Sequence, residues 1–156
     1  MRIILLFVLS HLIVFPALAE TLSGPVKVID AATLHVGKHT VRLHGIVTPR
    51  PRDHCKLANK TIPCGRVAAT ALMDLTAGAI ARCEVHGKPD ADGIVTATCS
   101  GAGYDLSEGM IYTGWARPNS AATARYRQVE IAARKRKRGL WRGEFPADVN
   151  RVAVSR

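Results

Sequence analysis

Arginine is the residue type on which the chemistry of this chain turns. Arg42 falls in a run of alternating apolar and polar residues, and Arg50-Pro51-Arg52 follows in a loop. A guanidinium stays charged at any physiological pH and grips phosphate or carboxylate in two-point geometry. Arg42, Arg50 and Arg52 therefore suit an anion held without a metal, and a solvated cleft with no ligand is the alternative. His35 and His44 share a strand face with Arg42. That pattern is open to a histidine-based metal or acid–base site, and equally to ordinary surface histidines. A second basic run, Arg134-Lys135-Arg136-Lys137-Arg138, could track a polyanion backbone or be a solvated helix end. Beyond residue 19 the aromatic residues are only Tyr104, Tyr112, Tyr126, Phe145, Trp115 and Trp141. So few rings argue against a stacking platform for single-stranded bases.

The chain opens with Arg2, an almost wholly apolar stretch from Ile3 to Leu18, and Ala17-Leu18-Ala19. A charged start, a short apolar run and a small-x-small close describe a secretory signal peptide over residues 1–19. The run is short for a membrane anchor and His11 interrupts it. Removing 19 of 156 residues leaves 137, enough for one domain over residues 20–156. Those residues carry 21 Lys and Arg against 12 Asp and Glu, a balance of +9. Such a surface favours anionic partners, with a solvated basic surface as the bland alternative. The expected location is periplasmic or secreted, with no membrane span after cleavage, and a monomer is expected.

Four cysteines in an exported chain imply two disulfides. Ile80 to Val85 and Ile94 to Cys99 read as β-rich segments joined by a turn over Gly87 to Gly93, so a hairpin brings Cys83 to Cys99. Cys55 and Cys64 bracket a polar loop before a helix and form the other pair. A zinc site built from all four would show close C-x-x-C pairs, which are absent.

Pro25 to Asp30, Thr33 to Val36 and Val41 to Ile46 read as strands. Alternation places Leu34, Val36, Val41 and Leu43 on one face, with Thr33, His35, Arg42 and His44 on the other. Helical spacing covers Gly65 to Leu75, closed by Gly78, and Asp105 to Trp115. A third helix is expected over Asn119 to Arg138, with Asn119-Ser120 as caps and the basic run as its last turn. Periodicity alone supports a generic α+β domain.

Several short stretches resemble the thermonuclease (staphylococcal nuclease-like) family. Arg42-Leu43-His44-Gly45-Ile46-Val47-Thr48-Pro49-Arg50 resembles R-L-x-x-[IV]-D-[AT]-P-E, and Val28-Ile29-Asp30-Ala31-Ala32-Thr33 resembles V-[IV]-D-G-D-[TS]. Further pieces follow in order: Cys64-Gly65 with Ala68, Asp105-Leu106, Gly114-Trp115-Ala116, Tyr126 with Glu130 and Ala133-Arg134, and Gly139-Leu140-Trp141. The resemblance covers about residues 24–145. It implies an α+β fold, a five-stranded OB-fold β-barrel with three helices, stapled here by two disulfides.

Members of that family hydrolyse phosphodiesters with one calcium ion, a Glu base and two arginines. Matched position by position, the two calcium carboxylates fall on Ala32 and Val47, which offer no side-chain oxygen. The base falls on Arg50, which cannot accept a proton. The second arginine falls on Ile94, while Arg42 is the one catalytic position kept. Thr48 retains a backbone carbonyl, and Asp30 and Asp53 are the carboxylates nearby. Calcium takes six to eight oxygens, so no calcium and no other cofactor is expected. The expectation is an exported, catalytically impaired protein that binds an anionic polymer, nucleic acid or acidic polysaccharide. An active nuclease with a non-standard site and an accessory protein of exopolysaccharide biosynthesis are the alternatives.

Overall fold

The computed structural model describes residues 20–154, so the signal peptide expected over residues 1–19 lies outside the described residues. A three-stranded meander comes first: β1 (Thr21–Val28), β2 (Thr33–Val36) and β3 (His39–Leu43). A short β4 (Ile46–Val47) leads to a small hairpin, β5 (Cys55–Leu57) and β6 (Lys60–Ile62), and then to α1 (Cys64–Thr76). A second hairpin, β7 (Ile80–His86) and β8 (Val95–Gly101), runs through β9 (Tyr104–Asp105) into α2 (Leu106–Tyr112). The chain ends with β10 (Arg117–Pro118), α3 (Ala124–Lys135), a 3₁₀ turn over Gly139–Arg142 and α4 (Ala147–Val154).

Five strands close into the barrel. β2 pairs antiparallel with β1 and β3, β1 with β7, and β7 with β8. The ring shuts where β3 runs parallel to β8, Val41 opposite Val95 and Leu43 opposite Ala97. That one parallel contact between third and fifth barrel strands is the OB arrangement, and α1 crosses between the third and fourth. Leu34, Val36, Val41 and Leu43 all point inward and are buried, as alternation predicts. With Leu72 of α1 and Leu106, Met110 and Ile111 of α2 they form the main core.

Both disulfides pair as the local geometry implies. Cys83 and Cys99 are direct cross-strand partners in the β7–β8 hairpin, and Cys55 is bonded to Cys64 at the start of α1. Several boundaries move. β1 starts at Thr21 rather than Pro25, because its first half pairs with β7 and sets Leu22 opposite Cys83. The loop after Cys55 is itself a hairpin. α3 begins at Ala124, with Thr123 accepting from the Tyr126 amide, because Asn119 is drawn away to the Ile46 carbonyl. It stops at Lys135, so Arg136, Lys137 and Arg138 form a turn rather than a last helical turn. α4 lies beyond the expected core and was not among the expected helices.

Candidate functional site: a basic loop under the C-terminal helix

The loop after β4 is held by backbone and by covalent bonds. The Asp53 amide donates to the Arg50 carbonyl at 2.9 Å, and the Arg50 amide donates to Asp53 Oδ2 at 2.8 Å. The first turn of α1 sits directly on this turn. A Cβ on Gly65 would lie 1.8 Å from the Arg50 carbonyl oxygen, so only glycine permits the approach. The Gly65 amide reaches the Asp53 carbonyl at 3.3 Å, and the Cys55–Cys64 bond clamps the same corner. Arg50, Pro51, Arg52 and Asp53 line one surface concavity.

Arg50 does not stand free there. Its Nε lies 3.5 Å from Asp53 Oδ1 and 3.2 Å from Asp148 Oδ2 on α4. Arg52 is exposed, with its carbonyl in contact with the His54 ring at 3.1 Å. Arg42 does not line this concavity. It projects from β3, where its neighbours are Thr33 and Thr96, and its Nη1 is 3.7 Å from Asp90 Oδ2 in the β7–β8 turn. The other oxygen of Asp90 accepts the amides of Asp92 and Ile94, at 3.0 and 2.9 Å. The loop thus presents a carboxylate to Arg42 beside Ile94, where the resemblance places a second arginine.

The positions matched to calcium carboxylates are built into other structure. Ala32 packs against the main core, and its carbonyl accepts the Leu43 amide at 2.8 Å. The nearby Asp30 spends Oδ1 on the Ala32 and Thr33 amides, both at 2.8 Å, which shapes the bend between β1 and β2. Val47 pairs with Arg117 on β10 and packs against a second apolar cluster. That cluster holds the Cys55–Cys64 bridge, Leu140, Phe145 and Val149, with Trp115 and Trp141 at its edge. Thr48 is half-buried. Among the described residues no three His, Cys, Asp or Glu side chains gather as a metal-binding group.

The second cluster is where the C-terminal segment docks, and sequence reasoning missed it. Arg117, only 15% exposed at its side chain, is the centre of the docking. Its Nε donates to Glu130 Oε1 at 2.7 Å and its Nη1 to Asn150 Oδ1 at 2.9 Å. The guanidinium carbon also lies 5.2 Å from the Trp141 ring centre and 5.9 Å from that of Phe145. Val149 is fully buried beneath, and Asn150 closes the turn by donating to the Phe145 carbonyl. The available signal was Phe145-Pro146 ahead of an apolar residue, a helix start with proline near its first position.

The histidines regroup. His35 bonds Thr40 across the β2–β3 turn, at 3.2 Å, and is not joined to His44. His44 lies instead against His86, ring centres 4.2 Å apart and planes tilted by 40°, and His86 contacts Thr98 Oγ1 at 2.8 Å. Burial first, and the neighbouring His86 second, hold the His44 imidazole below its ordinary pKa, and the Asp105 charge only partly opposes this. Asp105 caps α2 through Oδ1 and accepts the Tyr126 hydroxyl on Oδ2 at 2.6 Å. Burial, then that bond, push the Tyr126 phenol above its usual range. In the basic run Arg134 lies over Trp141 and Arg138 over Tyr112, while Lys135, Arg136 and Lys137 are exposed.

A family model described as staphylococcal nuclease homologue matches residues 40–143, two thirds of the chain. Among curated proteins no sequence matches this one significantly.

Proposed function

Since this chain belongs to the staphylococcal nuclease homologue family, we propose that it is an exported, non-hydrolytic member that binds an anionic polymer. The observation that carries the reading is the fate of Val47 and Arg50. One matches a calcium carboxylate and lies in an apolar cluster; the other matches the base and is ion-paired to two aspartates. The donor set does not fit calcium, which needs several oxygens where Ala32 and Val47 supply hydrocarbon. Loss of a general base alone costs on the order of 10²–10⁴ in rate. What remains is a strongly basic OB barrel, with 22 Lys and Arg against 12 Asp and Glu over the whole chain. Cations on the Arg50–Arg52 loop and on the Arg134–Arg138 corner suit the repeated phosphates of a nucleic acid or the carboxylates of an acidic polysaccharide. Export agrees with two disulfides and with an apolar segment at residues 1–19; among the described residues no helix is long and apolar enough to cross a membrane.

The test uses the protein without residues 1–19. It should retain single-stranded DNA or an acidic polysaccharide with chelator present and lose it as salt rises. It should show no calcium-stimulated cleavage of DNA or RNA above background. Chelator-sensitive hydrolysis at a rate near that of active relatives would overturn the reading.

A further inference from the structure

We propose that α4 is an internal latch whose Asp148 carboxylate occupies, on Arg50, the place of an anionic group of the polymer. The proposal rests on the binding reading above and assigns its regulation. Two features of α4 meet positions that the resemblance matches to chemistry, and a third meets the strand partner of one of them. Asp148 pairs with Arg50, at the base position, at 3.2 Å. Val149 is buried in the cluster that takes Val47, at a calcium-ligand position. Asn150 bonds Arg117, the β10 partner of Val47. The helix packs on β4 and β10 and sets one of the chain's own acids against the Arg50 guanidinium.

The two halves of the latch differ in strength. Val149 and Phe145 are almost wholly buried, which fixes the helix. The ion pair is open to water, with the Arg50 side chain 71% and Asp148 29% exposed. Exposed pairs are weak and screened by salt, so a phosphate or carboxylate of a polymer can take the place of Asp148 without unfolding α4. Arg50 also pairs with Asp53 at 3.5 Å, a contact that exchange of Asp148 leaves in place. Arg52 on the same loop supplies a neighbouring cation. The ligand class is thus an oxyanion of the polymer, read by a fork rather than by a metal.

The experiment measures affinity for a single-stranded oligonucleotide, with chelator and at several salt concentrations, for wild type, Asp148→Asn, Arg50→Gln and the double variant. Asp148→Asn keeps the side-chain shape and removes the competing charge. It should raise affinity about threefold to fivefold at low salt and steepen the salt slope by about 0.7. Arg50→Gln should abolish that gain in the double variant. Amide exchange across residues 150–154, the amides that have helical acceptors, should stay protected in Asp148→Asn, which separates release of a charge from loss of the helix. Removal of residues 147–156 is the second variant and should give at least the same gain. Equal affinity of wild type and Asp148→Asn, with wild type binding, overturns the latch and leaves polymer binding standing. Absence of binding by every form overturns both.

Discussion

Val47 stands where the resemblance places a calcium carboxylate, and its side chain packs against an apolar cluster. Returning an aspartate there would not rebuild a calcium site, because Ala32 still offers no oxygen and Arg50 still carries a positive charge. Val47 touches the cluster of Phe145, Leu140 and the Cys55–Cys64 bridge, so a carboxylate would be partly buried among apolar groups. Val47→Asp should therefore cost about 1–3 kcal/mol of stability without producing calcium-dependent cleavage; a stable variant that gains hydrolysis would refute this. His44 gives a second prediction at the same scale. Its folded pKa lies below the ordinary 6.5, so the unfolded chain binds the proton more readily. Its contribution to stability is present above that value and is lost as pH falls through it. Urea midpoints should drop between pH 7.5 and 5.5, and His44→Gln should lessen the drop; an unchanged pH dependence in the variant would count against it. Short motifs carry their own register, and that alone is what matches Ala32, Val47 and Arg50 to family positions. The partner of Arg50 was not legible in that way, since Asp148 is brought to it only by the path of the C-terminal chain.

The barrel strands were the legible elements. Alternation set Leu34, Val36, Val41 and Leu43 inward, and β-rich segments either side of a glycine-bounded turn set Cys83 against Cys99. Helix ends were less legible wherever a side chain had a distant use. Asn119 is a good cap by type, yet its amide is committed to the Ile46 carbonyl and its carbonyl to the Ala121 amide. α4 is short, so periodicity could not separate it from coil; its existence depends on the cluster under Val149. Truncating Val149 to Ala should cost about 1–2 kcal/mol, the lower part of the range for emptied core positions. It should also speed amide exchange in α4 before the barrel. Exchange that rises equally in β7 and β8 would mean the helix is not a separate unit. Reduction acts on two other elements. Loop-closure reasoning gives about 2.5 kcal/mol for the Cys55–Cys64 bridge and about 3 kcal/mol for Cys83–Cys99, so a reducing agent should lower the thermal midpoint sharply.

Net charge belongs to the whole molecule, and it was fully legible in composition. Its distribution was not. The sequence suggests a free cleft of three arginines, but Arg42 faces Asp90 and Arg50 faces Asp53 and Asp148. A contiguous group of cations lies around the corner between α3 and the 3₁₀ turn. Arg134 and Arg138 rest on aromatic rings, while Lys135 and Arg136 are exposed and form no ion pair among the described residues. A long polymer should meet this corner first, with the Arg50 loop as a site that opens by exchange. Replacing Lys135 and Arg136 together with Gln leaves the backbone bonds of the turn intact and removes two charges. Each phosphate contact on a single strand contributes about 0.7 to the slope of log affinity against log salt. The double variant should therefore bind single-stranded DNA more weakly at low salt, with the slope reduced by about 1.4. The thermal midpoint should stay close to that of wild type, because neither side chain is buried or ion-paired. On an acidic polysaccharide with more widely spaced carboxylates, fewer contacts form at once, so both the slope and its loss should be smaller. An unchanged slope on DNA would remove this corner from the binding surface and leave the Arg50–Arg52 loop as the place where the polymer is held.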